Sequence, residues 1–327
     1  MSQPDISVVI VSFNTREVLR ECLQTLQRES TGLIMETFVV DNNSRDNSAE
    51  MVESDFPWAG LRRSKVNLGF AGANNVAFKE CTGRYVVLLN SDAFVKPGAL
   101  QLSVQLMDAN PRCGLGGGLL VGRDGAWQPS ARLFPSVLND LLTISGLSAK
   151  YASSKFFGRY DRTWADPGEA AEVDWVPGAY SIIRKEALDQ AGFFDEDFFL
   201  YYEEVDLCYR IKQAGWTIWY WPGIVVVHLG GESSKTVTSL RFSNSGAQLT
   251  LWRIRSGYLY YRKHHGSMAV AAKLLEEWWH RIRAGKNSGM SDPDSVRKRE
   301  DSEVTVELLR RAWKETNGGR LSPARPW

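Results

Sequence analysis

Polar residues follow three apolar runs of this sequence at the points where the runs end. The runs are ISVVIV, TFVV and YVVLL. The polar residues that come directly after them are Ser12, Asn14, Asp41, Asn90, Ser91 and Asp92. A single Asn or Asp at such a point caps a helix or forms a turn. Three such strand ends at one rim of a sheet favour a site for a polar ligand.

A glycine-bearing loop, NLGFAGANN over residues 67–75, lies between the second and third runs and opens onto a predicted helix. At the N-terminus of a helix, free backbone amide groups and the positive end of the helix dipole can bind an anion. Asn67, Gly69 and Asn74 are its candidate ligand residues, and turn formation or helix capping explains them equally well. The loop matches neither the GxGxxG nor the GxxxxGK[ST] fingerprint.

The spacing of apolar residues predicts the elements that must position these side chains. The run over 6–11 is followed by Leu19, Cys22, Leu23 and Leu26 at the spacing of one helix face. Strands over 37–40 and 85–89 alternate with helices from about residue 47, over 71–80 and after 97. This alternation predicts an α/β fold with a Rossmann-like, mainly parallel sheet covered by helices on both faces. Ligands of such sheets bind beyond the carboxyl ends of the strands.

The second half of this region adds strands and a run of acids. Strands are predicted over 180–184, 217–220 and 224–227, the last ending at His228. A helix is predicted to start near Glu203, Glu204 and Asp206. Adjacent helical residues point about 100° apart, so only one of the two glutamates can face a substrate well. Asp206 lies four residues before Arg210, a spacing that favours an ion pair.

Composition excludes several classes of protein. The chain has 327 residues, 43% hydrophobic and 24% charged, which are ordinary globular values. Its 39 Lys and Arg against 38 Asp and Glu create no overall field that would recruit nucleic acid. The four cysteines have no CxxC spacing, which argues against a zinc site and a disulfide scaffold. With no signal peptide or membrane span apparent, we expect a cytoplasmic protein.

The pattern divides the chain into three parts. Residues 1–240 are expected to form the α/β domain. Residues 241–284 form a basic, aromatic segment with an amphipathic helix, which either lies in a membrane interface or packs on the domain or on a second copy of the chain. Residues 285–327 are expected to be a polar linker, up to about 302, and a short helix over 304–314.

Seven stretches of the sequence resemble, in order, the motifs of family 2 glycosyltransferases. They are VVIVSFN, VVDNNSRDNS, NLGFAGANN, LLNSDA, GAYSIIRKEAL, GFFDEDFFLYYEEVDLCYRIKQAGW and VVVHLGG. The resemblance covers about residues 5–235 and is particularly to the rhamnosyltransferase-like branch, which builds bacterial surface polysaccharides. It implies a GT-A fold, a nucleotide-diphosphate-sugar donor, a divalent metal and inversion at the anomeric carbon.

The resemblance assigns the metal, Mn²⁺ or Mg²⁺, to Asp92 and His228. A divalent cation held by carboxylate oxygen stabilises a departing diphosphate. The chain has Asn90 where the general Asp-x-Asp pattern has its first acid, although members of this branch commonly have Asn there. Without the resemblance, Asp92 would be a turn residue and His228 a structural one.

The resemblance assigns the nucleotide sugar to the strand ends and to the glycine-bearing loop. Asp41 matches the carboxylate that accepts a hydrogen bond from the imide N3 of uracil or thymine, which cytosine cannot offer. Ser12 and Asn14 would lie in the same pocket. The remaining residues that the resemblance puts on the donor side are Asn67, Gly69, Asn74, Asn90 and Ser91.

An inverting transfer requires a base for the acceptor hydroxyl, and the family motif puts it at Glu204. The commoner residue there is Asp. Glu203 and Asp206 are the alternatives as base or support. Trp175, Gly178 and Ala179 would line the acceptor side, with core packing an equal explanation for Trp175.

The sequence therefore predicts an inverting, metal-dependent glycosyltransferase that moves L-rhamnose from dTDP-rhamnose to a lipid-linked or growing surface glycan. Another UDP- or dTDP-hexose is the alternative donor. A catalytically silent nucleotide-sugar-binding scaffold is the alternative from another class of protein. The acceptor would be a glycan or a polyprenyl-diphosphate-linked sugar, with association to the inner face of the membrane and a homodimer as further expectations.

Overall fold

A ten-stranded sheet with helices on both faces forms the centre of the computed structural model, which describes residues 3–230 and 245–325. The strands are β1 Ile6–Ser12, β2 Met35–Asp41, β3 Gly60–Arg63, β4 Tyr85–Leu89, β5 Ala93–Val95, β6 Cys113–Val121, β7 Trp127–Gln128, β8 Ala171–Glu172, β9 Tyr180–Arg184 and β10 Thr217–His228. The helices are α1 Arg16–Glu29, α2 Ser48–Asp55, α3 Gly69–Phe78, α4 Ala99–Ala109, α5 Val137–Ile144, α6 Leu147–Lys150, α7 Lys185–Ala191, α8 Glu203–Gln213, α9 Ser245–His265, α10 Met268–Asn287 and α11 Pro293–Glu315. The predicted α/β class is confirmed.

The strand order is β3-β2-β1-β4-β9-β6-β10-β5, with β7 beside β6 and β8 beside β10. The four strands from β3 to β4 are parallel, as predicted. Beyond β4 the sheet is mixed, because β9 is antiparallel to both of its neighbours. The chain runs from β1 outward to β2 and β3 and then returns to β4 on the other side of β1. Such a switch point leaves a crevice at the carboxyl ends of the strands.

Helix α1 illustrates why the sequence folds locally as it does. Its Leu19, Cys22, Leu23 and Leu26 are all fully buried, as the helical spacing predicts. The strands are buried on both sides, and one apolar cluster lies on each face of the sheet. All four cysteines are buried and free.

Strand β10 is one element where two strands were predicted. It pairs with β6 over most of its length, and the register shifts between Trp221 and Val225. Pro222 has no amide hydrogen to give to the ladder, so the irregularity occurs there. The strand continues beyond it and ends at His228, as predicted.

The basic, aromatic segment is largely internal in its first helix. On α9, Trp252, Tyr258, Tyr260 and Tyr261 are each less than 5% exposed. These rings pack against α8, α11 and the loop before α8, which is the packing alternative that the sequence left open for this part of the segment. The predicted boundary at 240/241 lies outside the described residues.

The predicted polar linker over 285–302 is also wrong, because most of it is the first part of α11. Asp292 caps this helix by accepting a hydrogen bond from the Ser295 amide at 2.9 Å, and Pro293 occupies its first turn. Farther along, Leu308, Leu309 and Ala312 are buried against α9. A polar composition does not prevent a helix whose far end is anchored in this way. Within the described residues, no helix is long and apolar enough to cross a membrane.

Candidate active site

The carboxyl ends of β1, β2 and β4 bring the predicted donor residues to one edge of the sheet. Ser12 is the register partner of Asp41, and the Asn42 amide donates to the Ser12 carbonyl at 2.8 Å. Ser91 follows β4 and accepts a hydrogen bond from Thr15 at 3.0 Å, while Thr15 lies 3.0 Å from the Ser12 hydroxyl. Buried hydroxyl groups therefore join the ends of β1 and β4, and a backbone hydrogen bond joins the ends of β1 and β2.

Asn14 adopts a left-handed backbone conformation and connects two of the loops. Its φ is 53°, a value that Asn tolerates better than most residues. Its amide donates to the Ser44 hydroxyl at 3.0 Å, and its side-chain oxygen accepts from the Arg45 amide at 2.7 Å. The structure thus puts Asn14 in the wall of the crevice.

One carboxylate oxygen of Asp41 has a hydrogen-bond partner, and the other has none among the described residues. Its Oδ2 accepts a hydrogen bond from the Ser44 amide at 3.2 Å. Its Oδ1 is buried and has no hydrogen-bond partner among the described residues. A buried acceptor without a partner is costly, so it indicates a position where a ligand donor completes the site.

Asn67 and Gly69 shape the loop before α3. The Asn67 side-chain oxygen accepts from the Asn42 side chain at 2.8 Å and from the Gly69 amide at 3.0 Å. Gly69 has a φ of +75°, and a Cβ there would lie 2.3 Å from the Phe199 carbonyl oxygen. No residue with a side chain fits there. Asn42 follows β2, and its side chain holds the loop before α3 through these hydrogen bonds. The sequence did not identify it as a candidate site residue.

Asn74 and Asn90 each donate a hydrogen bond to a carbonyl that helps to hold the local fold. The buried Asn74 side chain donates to the Phe70 carbonyl, one turn back in α3, at 2.8 Å. The Asn90 amide donates to the Ala179 carbonyl at 3.0 Å, which fixes the β4 loop to the strand beside it. These are the turn and capping contacts that the sequence left as the alternative.

Asp92 and His228 meet because β5 pairs with the end of β10. His228 is the register partner of Ala93, the residue after Asp92. The Nε2 atom of His228 lies 3.6 Å from Oδ1 of Asp92. Both side chains are largely buried, and burial lowers the pKa of His228 although Asp92 opposes the shift. A neutral imidazole is the form that binds a metal.

Gln128 orients this histidine and was missed in the sequence. Its Oε1 lies 2.9 Å from Nδ1 of His228, and its Nε2 donates to the His228 carbonyl at 2.8 Å. If Oε1 accepts the Nδ1 hydrogen, Nε2 is left with a lone pair directed at Asp92. The two residues are neighbours only because β7 pairs with β6, so no local sequence signal could have revealed the contact.

A carboxylate and an imidazole are suitable donors for Mn²⁺ or Mg²⁺. Two ligand bonds of about 2.1 Å can span up to about 4.2 Å, so the 3.6 Å separation fits one shared ion. Within the described residues, no group of three or more His, Cys, Asp or Glu side chains forms a complete metal site. An open cleft of about 520 Å³ lies beside His228 and Gln128.

Glu203 and Glu204 occupy the first turn of α8 and each has a buried Oε2 with no hydrogen-bond partner among the described residues. Burial and the adjacent Glu204 raise the pKa of Glu203 well above its ordinary value. Burial also raises the pKa of Glu204, while Arg132 and the Gly178 amide oppose the shift. Like charges in one low-dielectric site do not both ionise easily. Because the pKa of Glu203 is raised further, the ionised form is less disfavoured at Glu204 than at Glu203.

The backbone just before these glutamates is strained. Tyr201 and Tyr202 have φ values of 68° and 71°, a region that bulky residues rarely adopt. Strained backbone is concentrated at functional sites, where the surrounding packing must hold it.

Of the three predicted acceptor residues, Gly178 is the one that the structure places beside Glu204. A Cβ at Gly178 would lie 3.9 Å from the Glu204 Cβ and 3.4 Å from the Phe70 ring. Ala179 is buried behind it. Trp175 is 5% exposed, and its Nε1 donates to the Leu133 carbonyl at 2.8 Å, which is a packing role.

Arg132 is a second residue that sequence reasoning missed. Its guanidinium lies 4.9 Å from the Trp175 ring centroid, and its Nε lies 3.0 Å from Asp161 Oδ1. Its charge favours the ionised form of Glu204. Arg132 and Trp175 are joined by an isolated β-bridge, so this juxtaposition also depends on tertiary structure.

Asp206 is fully buried, and its carboxylate contacts two cationic side chains and a histidine. Its carboxylate lies 2.8 Å from Arg210, as the spacing predicted, and also contacts Lys263 at 2.7 Å and His264 at 2.6 Å. Burial would raise the pKa of Asp206, but the His264 hydrogen bond and the charges of Arg210 and Lys263 lower it to about 2. The contacts fit support of α8 by α9 and do not fit a general base.

The mixed α/β sheet brings a carboxylate–imidazole pair and two glutamates to its functional site, and comparison with known proteins identifies the family. Residues 7–171, about half of the chain, match the family model described as glycosyl transferase family 2. The chain belongs to this family.

Two curated relatives carry rhamnosyltransferase names. The N-acetylglucosaminyl-diphospho-decaprenol L-rhamnosyltransferase of Mycobacterium tuberculosis is 28% identical over 240 residues, which are 70% of this chain and 77% of that protein. The rhamnosyltransferase WbbL of Escherichia coli K12 is 22% identical over 266 residues, 78% of this chain and 92% of that protein. Rhamnosyltransferases are thus among the proteins similar to this chain.

Solved structures support the fold. A mannosyltransferase from Pyrobaculum calidifontis, in complex with GDP-Man and Mn²⁺, matches with a TM-score of 0.57 at 16% identity. The match covers 97% of this chain and 88% of the mannosyltransferase chain. The structure of GalNAc-T7 with UDP, GalNAc and Mn²⁺ matches with a TM-score of 0.55 at 14% identity. This match covers 98% of this chain and 59% of the GalNAc-T7 chain. At these identities the likeness extends to the fold alone.

Proposed function

We propose that this glycosyltransferase moves L-rhamnose from dTDP-L-rhamnose, with inversion, onto a sugar carried by a lipid diphosphate. The observation that carries the chemistry is the pair of acids at the start of α8, each with a buried carboxyl oxygen, of which Glu204 lies beside Gly178 and within reach of the Arg132 charge. A silent scaffold would gain nothing from two buried carboxyl oxygens without partners, each of which costs stability.

In this proposal Glu204 takes the proton of the acceptor hydroxyl as its oxygen attacks the anomeric carbon and the nucleoside diphosphate departs. The raised pKa of Glu204 brings the base closer to the working pH, which makes proton transfer more effective. Glu203 remains protonated and adds no second negative charge. A divalent cation held by Asp92 and His228 would supply positive charge for the departing diphosphate.

The donor base is inferred from Asp41. Its buried Oδ1 has no partner among the described residues and can accept the imide hydrogen of thymine or uracil. Cytosine has no hydrogen at that ring nitrogen, so its binding would leave Asp41 unpaired. The names of the two relatives support rhamnose as the sugar, and the name of the mycobacterial protein supports a lipid-diphosphate acceptor.

Calorimetry with the whole chain and Mn²⁺ tests the donor class. We expect dTDP-rhamnose and UDP to bind and CDP to bind at least tenfold more weakly. Asp41→Asn should reduce that preference, whereas Asp124→Asn, an exposed turn residue of the neighbouring cleft, should leave it unchanged. Equal binding of CDP and UDP by the unaltered chain would refute the role of Asp41.

We also propose that α10 meets the membrane in which a lipid-linked acceptor resides. Val270, Leu274 and Trp278, spaced four residues apart, are 37%, 56% and 54% exposed. Arg281 continues this stripe with a side chain that is 57% exposed. An exposed apolar stripe with a cation at its end matches an anionic interface. The name "α10 stripe" is used below for these four residues.

A further inference from the structure

Helix α9 runs along the segment that leads into the proposed base. Trp252, Ser256, Tyr260 and His264 follow one another at intervals of four residues and therefore share one face of the helix. These side chains contact, in turn, Phe199, Leu200, Tyr202 and Asp206.

The contacts are specific in geometry. The rings of Trp252 and Phe199 have centroids 4.6 Å apart. The buried Ser256 hydroxyl donates to the Leu200 carbonyl at 2.8 Å. The rings of Tyr260 and Tyr202 have centroids 5.4 Å apart.

Gly257 provides the space that this arrangement needs. A Cβ at this position would lie 3.3 Å from the Tyr202 hydroxyl oxygen and 3.5 Å from the ring carbon that carries it. The distance to the hydroxyl oxygen is tighter than most real Cβ contacts, so the Tyr202 hydroxyl would have to shift by a few tenths of an ångström. Glycine is otherwise unfavourable inside a helix, which makes its presence here a packing requirement.

The opposite side of the same segment is also fixed. The Phe70 amide donates to the Phe199 carbonyl at 3.0 Å, and Gly69 allows that carbonyl its close approach. The loop over 199–202 is therefore held between the start of α3 and the face of α9. This enclosure maintains the positive φ values of Tyr201 and Tyr202, from which α8 begins with Glu203 and Glu204.

We propose that Gly257 and Ser256 of α9 are positioning residues for catalysis, because they hold Tyr201 and Tyr202 in the backbone conformation that directs Glu204 at the acceptor. The inference rests on the proposed role of Glu204. It gives the helical extension a part in the reaction itself, beyond any part in membrane binding.

A double-mutant cycle tests this inference in the full chain. The variants are Gly257→Ala, Tyr202→Phe and the two together, assayed with dTDP-rhamnose and a short-chain lipid-diphosphate GlcNAc acceptor. Gly257→Ala should lower kcat at least tenfold while the Kd of dTDP with Mn²⁺ stays within twofold. Tyr202→Phe removes the atom nearest to the added methyl group, so the double variant should recover most of the lost kcat.

Gly285→Ala is the matched control, because a Cβ at this glycine of α10 has no atom within 4 Å. If Gly257→Ala and Gly285→Ala have the same kcat, or if Tyr202→Phe gives no recovery, the inference is overturned. Ser256→Ala adds no atom and guards against a folding defect; it should lower kcat at least threefold with an unchanged Kd for dTDP, and an unchanged kcat would count against the inference. Failure of the unaltered chain to release nucleoside diphosphate from this or any other tested sugar donor would instead refute the proposed function.

Discussion

Oδ1 of Asp92 lies 3.6 Å from Nε2 of His228, although the two residues are far apart in sequence. The short β5 strand turns back immediately after Asp92 and pairs antiparallel with the end of β10. A strand of three residues therefore creates the pair of potential metal ligands. The pair lies at the same edge as the ends of β1 and β2, where the donor nucleotide is expected.

The first prediction concerns this pair. Asp92→Asn should abolish turnover and the Mn²⁺-dependent part of the thermal stabilisation by dTDP, because the amide is a much poorer ligand for a hard cation. Thermal shift with and without Mn²⁺ measures the effect, and circular dichroism should remain that of the folded chain. Asp124→Asn is the control. Mn²⁺-enhanced dTDP binding by folded Asp92→Asn would contradict the assignment.

The second prediction concerns the residue that orients His228. Gln128→Leu removes both hydrogen bonds to the histidine and leaves its ring free to rotate. The affinity for Mn²⁺ in the presence of dTDP should fall about 10- to 100-fold, which is typical when the partner of a metal ligand is lost. Titration of activity against Mn²⁺ measures this. An unchanged Mn²⁺ dependence would show that Gln128 has no such role.

The third prediction is a pH dependence set by Glu204. The base must be ionised, so kcat should fall as pH decreases through the pKa of Glu204, which burial raises above the ordinary 4.5. Arg132→Gln removes a charge that favours the ionised form, so the acidic limb should move to higher pH. The profile of kcat against pH gives both positions. Arg297→Gln, a cation on the exposed part of α11, should leave the limb where it is.

A companion comparison separates the two glutamates. Glu204→Gln should lower kcat about 10²- to 10⁴-fold with little effect on dTDP binding. Glu203→Gln should be much milder, because an amide resembles the protonated carboxyl that burial favours at that position. The opposite ranking would identify Glu203 as the base, and two mild variants would bring the inverting mechanism into question.

The fourth prediction concerns the stability that Asp206 contributes. Asp206→Asn should lower the free energy of unfolding by roughly 3 kcal/mol at pH 7, because Arg210 and Lys263 lose the charge of a buried carboxylate and His264 loses a hydrogen-bond partner. The folded pKa of about 2 is below the ordinary 3.8, so the charge contributes fully above about pH 4 and loses its effect as pH falls towards 2. That linkage amounts to about 2 kcal/mol.

Urea unfolding at pH 7 and at about pH 3 measures the difference between the unaltered chain and Asp206→Asn. The difference should be smaller at the lower pH. Asp189→Asn breaks an exposed ion pair with Lys185 and should cost less than about 1 kcal/mol at either pH. If the difference in the free energy of unfolding between the unaltered chain and Asp206→Asn is no smaller in acid, the linkage is refuted.

The fifth prediction concerns the α10 stripe. Replacing Leu274 and Trp278 together by serine should reduce co-sedimentation with phosphatidylglycerol vesicles, and Arg281→Gln should reduce its sensitivity to salt, since one cation contributes about 1 kcal/mol at such a surface. Leu321→Ser, which alters a leucine that is 59% exposed outside the stripe, is the control. Unchanged sedimentation of the double variant would exclude membrane contact through α10.

The sequence by itself determined the parallel half of the sheet and the helices around it. Local patterns decide such elements, as in α1, where four apolar residues at helical spacing are the four that are buried. The Asx residues after β1, β2 and β4 were likewise predictable as one edge, because the carboxyl ends of parallel strands lie together. The seven motifs, in their order along the chain, were enough to predict the family.

Only the tertiary structure decided how the site is supported. Gln128 reaches His228, Arg132 reaches Glu204, and Gly257 admits Tyr202, each across a large separation in sequence and through packing that no local pattern encodes. The same reason explains the wrong linker prediction over 285–302 and the alternatives that the sequence left open for 241–284. Whether the aromatic residues of α9 and the polar residues of α11 face water, lipid or protein depends on which surface covers them. In this chain α9 packs against both α8 and α11, and it thereby becomes a support for the active site.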